Sequence, residues 1–290
     1  MRSLLVFCAC ALLLGCSQDG PDASPVNSIV VAVLPDQSPE ALRSRHTPLL
    51  DYLAQETSLD IKFVIPADYA DLVSQFDGGG IDLAWFGGLT YIQAEARSEA
   101  EPLAFRDVDM RFTSCYLARG DDARSSMREF EGAAFGFGPR LSTSGHLMPR
   151  YFLERAGVFP DKFFSSTQHS AGHDETAIWV RDGTIDIGVA NCVIVQSLFD
   201  DGRISADEVR VVETTPHYSD YVWAVKASMD KHTRAVLLDA FMALDATDPL
   251  HLTILQSQGA NAYMPAARGN FELVRRAAEI SGIFAGDNDP

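Results

Sequence analysis

Between Gly138 and Leu153 the chain reads GPRLSTSGHLMPRYFL, which sets Ser142, Thr143, Ser144 and Gly145 immediately ahead of an apolar, helix-like run. Residues of these types at a helix start can do two kinds of chemistry. One is nucleophilic, with His146 beside a serine as its base. The other is anion capture: hydroxyls and the unpaired N–H groups of a first helical turn donate to an oxyanion, and Gly145 lets the backbone come close. Pro149 is tolerated if it lies in that first turn. The nucleophilic reading lacks a G-x-S-x-G elbow, and three adjacent hydroxyls single out no nucleophile. A plainer alternative is one serine capping the helix while the others face water.

Two further groups carry polar chemistry. His169 and His173 lie four apart with Asp174 following, a spacing at which imidazoles on one helical face can share a metal. No third ligand stands nearby, so hydrogen bonding of a ligand by His173 and Asp174 is the expectation, and no metal or cofactor is expected. The stretch TTPHYSDYVW offers Tyr218, Asp220 and Tyr221, where aromatic faces and a carboxylate can close over a small ligand or simply pack a hinge.

These groups need elements to hold them. SIVVAVLP, DIKFVIPA and GIDLAWFGG read as strands alternating with helices, and Ser38-Pro39 and Thr47-Pro48 each look like an N-cap followed by Pro at the first helical position. The pattern is βαβα, hence a mostly parallel sheet flanked by helices. The second half repeats it with GAAFGFGP, FFSSTQH and TIDIGVAN, and Gly80-Ile81-Asp82-Leu83-Ala84 is echoed by Thr184-Ile185-Asp186-Ile187-Gly188. Two similar lobes are expected, residues 28–113 plus 217–290 and residues 114–216. RFTSCYLAR and SDYVWAVKA are the expected crossing strands, and the helical C-terminal part is expected to pack on the first lobe. Parallel sheets bind ligands beyond the C-terminal ends of their strands, where helix N-termini point outward. Strand-to-helix junctions fall at Pro35 to Ser38, Phe86 to Tyr91, Ser142 to His146 and His169 to Asp174, so facing lobes bring them to one cleft.

The chain's ends and charge bound its setting. MRSLLVFCACALLLG is an apolar run too short to span a membrane and reads as an export signal over residues 1–15. Leu13-Leu14-Gly15-Cys16 resembles a bacterial lipobox, which implies cleavage before Cys16 and its lipidation; an ordinary signal peptide cut nearby is the alternative. Residues 16–27, rich in Pro, Gly and Ser, suit a tether. Cys115 and Cys192 then remain, either paired or as two buried thiols. Without Arg2, 22 basic residues face 40 acidic ones, a formal charge of −18. Nucleic acid is a poor partner for that surface, and an anion must be captured by local neutral donors.

FGFGPRLSTSGHLMPRYFL, SAGHDETAIWVRDGTIDIGVAN, IDLAWFGGLTYIQA and TTPHYSDYVW together resemble the substrate-binding components of phosphate, phosphite and phosphonate ABC importers, most closely the branch named for selenate binding. The resemblance runs from about Ile29 to the last helices. It implies a type II periplasmic-binding fold, an α/β architecture of two mixed-sheet lobes joined by two crossing strands. It also implies a periplasmic, lipid-anchored, monomeric receptor without catalytic activity that passes a small oxyanion to a membrane permease driven by a separate ATPase. Matched motif by motif, it implies ligand contacts from Ser142, Thr143, Ser144, His146, Tyr91, His173, Asp174 and Asp220, with Gly145 in the same segment; Phe86, Tyr218 and Tyr221 stand where the family varies with its ligand.

The choice of oxyanion rests on protons. Sulfate and selenate are fully ionised near pH 7, so an inward carboxylate repels them, whereas phosphate, phosphite and phosphonates keep a P–O–H that can donate to it. A selenate receptor, a sensor for a membrane kinase and an enzyme on the same scaffold are the remaining alternatives.

Overall fold

The computed structural model describes residues 28–283; the signal, the tether and Cys16 lie outside the described residues. The chain opens with β1 (Ser28–Val33), α1 (Pro39–Thr57), β2 (Asp60–Val64), α2 (Tyr69–Asp77), β3 (Leu83–Phe86), α3 (Gly88–Ser98) and β4 (Glu101–Arg106). It crosses into a second lobe formed by β5 (Ser114–Arg119), β6 (Ala134–Phe137), α4 (Met148–Arg155), α5 (Pro160–Phe163), β7 (Ser166–His169), α6 (His173–Arg181), β8 (Ile187–Asn191), α7 (Cys192–Asp200) and β9 (Val209–Thr214). It then returns as β10 (Val222–Val225), α8 (Lys231–Ala243), α9 (Pro249–Ser257), β11 (Tyr263–Pro265) and α10 (Glu272–Ser281).

Both sheets are mixed. Lobe 1 has six strands in the order β11-β4-β10-β3-β1-β2 and lobe 2 five in the order β7-β6-β8-β5-β9. In each, three parallel strands are followed by one antiparallel strand wedged in beside them, β10 in lobe 1 and β5 in lobe 2. Each wedge is the first strand after a crossing. At the crossing itself Phe112 and Tyr218 exchange backbone hydrogen bonds of 2.8 and 3.1 Å.

The sequence echo has a structural cause. Asp82 accepts the Val30 N–H at 2.9 Å, and Asp186 accepts the Ala134 N–H at 2.7 Å, so each aspartate ties the start of its lobe's third parallel strand to the first. The sheet interiors are filled by apolar side chains, with Trp85 and Trp223 in lobe 1 and Phe130, Phe135 and Phe137 in lobe 2 among the largest fully buried.

Several local expectations change. Ser38 does cap α1, accepting the Ala41 N–H, but Thr47-Pro48 starts no helix: α1 runs through Pro48. The carbonyl that Pro48 leaves unserved belongs to Ser44, which is exposed to water. Strands β4, β9 and β11 add to those expected from the sequence. The C-terminal helix α10 packs on α3 and also on α4, touching both lobes.

Cys115 on β5 and Cys192 at the start of α7 form a disulfide with a Cα–Cα distance of 5.1 Å. It closes a loop 77 residues long in sequence. Loss of a bond that restrains a loop of this size typically costs about 2–5 kcal/mol. Replacing both cysteines with serine is therefore expected to lower the unfolding free energy by that amount, read by urea denaturation, and reductant should have the same effect on the native protein and none on the variant.

Candidate functional site

The Ser142 to Gly145 segment lies where a parallel strand feeds a helix. After β6 the chain turns at Gly138, and Ser142 then caps a π-helical turn, Thr143–Leu147, that continues as α4. Ser142 Oγ accepts the Gly145 N–H at 2.9 Å, so it is a true cap. Gly138 N–H donates to the Gly145 carbonyl at 2.8 Å, which serves the acceptor that Pro149, four residues on, cannot. This crossing needs two glycines: a Cβ on Gly145 would stand 2.8 Å from Gly138 Cα and 2.9 Å from His173 Cε1.

His173, first residue of α6, fixes the polarity of this cap. Its Nδ1 accepts the Asn191 N–H at 3.1 Å, and a backbone N–H can only donate. Burial pushes the imidazole down to about 3, so it is neutral and carries its proton on Nε2. That proton points to Ser142 Oγ at 3.2 Å. Ser142 thus accepts from both Gly145 and His173, and its own proton is free to donate elsewhere. Because Nε2 is protonated and Nδ1 is occupied, His173 cannot act as a base toward Ser142.

From lobe 1, the start of α3 and the segment before β10 close over this turn. Thr143 Oγ1 accepts the Leu89 N–H at 2.9 Å across the cleft. Asp220 Oδ1 accepts N–H groups from Gly88 at 2.8 Å and Tyr221 at 2.9 Å. Its second oxygen, Oδ2, is buried with no hydrogen-bond partner. Burial raises the acid to about 6, opposed by those two N–H groups and by the neighbouring Thr143 hydroxyl. Two more buried oxygens in the same place have no partner, Ser144 Oγ and the Tyr69 hydroxyl. Tyr69 stands beside Ser142, and Ser144 beside Tyr218, whose hydroxyl bonds Ser114 Oγ at 2.6 Å. Unpaired buried polar atoms are costly singly, and three of them gather around two helix starts here. Tyr69 also borders an open crevice of ≈ 1130 Å³ between the lobes, lined further by Asp68, Arg97, Arg140, Leu141 and His169.

The structure thus gathers Ser142, Thr143, Ser144, Gly145, His173 and Asp220 into one cluster. It does not bring Tyr91 there: that hydroxyl faces Glu95 Oε1 at 3.3 Å and the ring packs on Phe271, on the far side of α3. Asp174 turns outward to Arg203 at 3.2 Å. His146 bonds the Arg140 carbonyl through Nδ1 at 2.7 Å and packs edge-on against His169 within lobe 2. His169 ends β7 and bonds the Gly138 carbonyl, so it shares no helical face with His173. Among the described residues no group of three or more His, Cys, Asp or Glu is arranged to hold a metal. Tyr221 lies next to the cluster, with its hydroxyl on Asp36. Asp36 falls within the expected Pro35 to Ser38 junction although no role attaches to it there, whereas Tyr69, which opens α2, and Asn191, which ends β8, are not singled out by the sequence.

The chain matches the family described as ABC transporter, phosphonate, periplasmic substrate-binding protein over residues 31–271. It belongs to this family. Among curated relatives, the "Probable ABC transporter phosphite binding protein PhnD1" of Prochlorococcus marinus is 27% identical over 94% of this chain and 96% of its own length. The "Phosphate-import protein PhnD" of Mycolicibacterium smegmatis is 27% identical over 95% of this chain and 94% of its own. The solved structure of the Prochlorococcus protein in complex with methylphosphonate superimposes with a TM-score of 0.83 at 25% identity, covering 88% of this chain and 98% of that one. A binding protein component of an ABC phosphonate transporter from Pseudomonas aeruginosa shares the fold, with a TM-score of 0.80 at 21% identity, covering 90% of this chain and 89% of that one. The chain is therefore the substrate-binding protein of an ABC importer, a periplasmic component whose partners are a small ligand and the importer's permease and ATPase. Its two lobes with mixed sheets are those of this class of binding protein.

The buried acid of this binding protein has a pH signature. An aspartate that titrates at 3.8 when free and at about 6 in the fold makes the native state the tighter proton binder between those values. Its contribution to stability is therefore whole below about pH 4 and is lost as pH rises through 6, by up to about 3 kcal/mol. Asp220→Asn cannot ionise, keeps an oxygen for Gly88 and Tyr221, and should gain up to that amount on wild type between pH 4 and 7 in ligand-free urea unfolding. Parallel curves for the two proteins would contradict this.

Proposed function

We propose that the cluster captures a protonatable phosphorus oxyanion, a phosphonate, phosphite or phosphate, and that the lobes close on it. Support comes from one observation above the rest: Asp220 Oδ2, buried and unpartnered, on the edge of a ring of hydroxyls. The hydroxyls of Ser142, Thr143 and Ser144 are donors for anionic oxygens, and they stand at two helix starts whose positive dipole ends favour negative charge. Asp220 is an acceptor when ionised and needs a ligand that brings a proton. Phosphate-type groups, with a second ionisation near pH 6, still bring that proton in part of the population at neutral pH, while sulfate and selenate bring none. Two acids that titrate in the same range can share a single proton, and the complex is favoured over the pH span in which that proton is present. The crevice beyond Tyr69 leaves room for an alkyl or aminoalkyl substituent on phosphorus.

The rest of the reading follows from the chain's likeness to its relatives and from its sequence. The chain is a monomeric receptor held to the membrane by a lipid on Cys16, and it performs no chemistry on its ligand. The occupied lone pair of His173 supports that last point, since it removes the base a serine nucleophile requires.

A thermal-shift and calorimetric screen of phosphite, methylphosphonate, aminoethylphosphonate, phosphate, sulfate and selenate tests this. A phosphorus ligand at 100 times its dissociation constant should add about 2.7 kcal/mol of stability, and sulfate and selenate should add little. Tight selenate or sulfate binding without a phosphorus ligand would overturn the reading. Thr143→Val, nearly isosteric but without the hydroxyl, should weaken binding by roughly 1–3 kcal/mol. Affinity for methylphosphonate should fall above about pH 8, where ligand and Asp220 have both lost the shared proton, and Asp220→Asn should flatten that fall while improving sulfate binding.

A further inference from the structure

Beside the oxyanion cluster, four buried residues close a ring of hydrogen bonds that passes twice between the lobes. Asn191 N–H donates to His173 Nδ1 at 3.1 Å within lobe 2. Asn191 Nδ2 then donates across the cleft to the Tyr221 hydroxyl at 2.9 Å. That hydroxyl donates to Asp36 Oδ2 at 2.7 Å within lobe 1. The ring closes when His173 N–H donates back across the cleft to the Asp36 carbonyl at 3.2 Å. Asp36, His173, Asn191 and Tyr221 are all at most 2% exposed.

The ring touches the anion site at two points. His173 Nε2 donates to Ser142 Oγ, and Tyr221 N–H holds Asp220 Oδ1. Its members are themselves braced. Tyr221 sits at φ 41°, a left-handed backbone conformation that a tyrosine adopts only when its surroundings impose it. Its ring stacks on Trp85 at 5.3 Å, with the Arg106 guanidinium 5.4 Å from its centroid. Asn191 Oδ1 caps α7 by accepting the Val193 and Ile194 N–H groups, and the next residue is anchored through the Cys115–Cys192 disulfide. Neither side chain can follow the opposite lobe when the lobes part. The Tyr221 hydroxyl has one proton and spends it on Asp36, so it has none for an anion.

We infer that Tyr221 and Asn191 are positioning residues that form a clasp: their hydrogen bond exists only when the lobes meet, and it ties closure to the placement of Asp220 and Ser142. This assigns Tyr221 a task other than the ligand contact its position in the family pattern suggests. It rests on the proposed capture of a phosphorus oxyanion only for the ligand used in the test. Parting the lobes strips the Asn191 amide and the Tyr221 hydroxyl of each other, and water must replace both. The clasp should therefore act on the rate at which a closed complex reopens.

Tyr221→Phe keeps the ring on Trp85 and the backbone bond to Asp220 and removes only the hydroxyl. Asn191→Ser keeps a helix-capping oxygen and removes only the amide donor. Methylphosphonate and phosphite are the probes, followed by stopped-flow and calorimetry. Lobe closure is read as a distance distribution between nitroxides on cysteines introduced at Asp77 and Lys162, both exposed and on different lobes. Both variants are expected to bind about tenfold more weakly through a faster off-rate, with the on-rate within twofold of wild type. Both should also show a smaller closed population before ligand is added, with an unchanged far-ultraviolet spectrum. Wild-type off-rates and distances in either correctly folded variant would overturn the clasp, as would weaker binding with unchanged distances, which would make Tyr221 a ligand contact after all. If wild type responds to neither probe, the functional reading fails, and the ligand-free distances still decide for or against the clasp.

Discussion

A carboxylate sealed inside the cleft with one oxygen paired and the other bare is the constraint around which this binding protein is arranged. Asp220 Oδ1 is saturated by two backbone N–H groups, and those two come from different places, the start of α3 and the residue after Asp220 itself. The acid is thereby aimed, because satisfying Oδ1 leaves only Oδ2 to face the hydroxyls of lobe 2. Its raised affinity for a proton follows from the same burial that aims it. Orientation and proton demand are one physical fact, and the proposed ligand choice follows from them without calling on a cation among the cluster's described residues.

The duplicated lobe plan explains how such an arrangement can be built. Each lobe lays three parallel strands side by side and admits a fourth, antiparallel strand only after a crossing, so the C-terminal ends of the parallel strands in both lobes face one gap. Asp82 and Asp186 lock the same step in each copy. Helix starts are what such strand ends deliver, and a helix start offers N–H groups and a positive dipole end. The capping residues then differentiate the copies: Gly87 leaves α3 open to approach, while Ser142 brings a hydroxyl to the opposite side.

How far the sequence shows this varies with the physics involved. Strands with continuous apolar runs, such as Ile29 to Leu34, and helices with strong caps, such as Ser38, are legible because their signals are local. The strand β11 has three residues and β4 begins Glu-Pro, so neither shows a period; β9, Val-Arg-Val-Val-Glu-Thr, alternates at its start and was legible in principle. At the site, Ser142 to Ser144 and Asp220 stand out by type and place. Tyr91 and Asp174 do not join them, because which face of a helix turns to the cleft is decided by tertiary packing: Phe271 draws Tyr91 away and Arg203 draws Asp174 outward. The pairing of Cys115 with Cys192 is likewise a distance, which no spacing of 77 residues reveals.

The whole chain's formal charge of −17 completes the account. A surface of that sign opposes the approach of an anion over a range of roughly 8–10 Å at ordinary salt, the screening length, and has little hold on one already inside. Retention must then come from contacts shorter than that range, in a space with little water, where neutral donors interact strongly. Hydroxyls and helix starts meet that need without the desolvation cost that a buried lysine or arginine would carry. The same reasoning gives the proposed closure its importance: with the lobes apart, the Leu89 N–H and the Thr143 oxygen that accepts it would each face water, and the site would be two half-sets of polar groups. On that proposal, joining them turns weak dipoles into a trap, and the geometry at the hinge and the chemistry at the cleft become parts of one equilibrium.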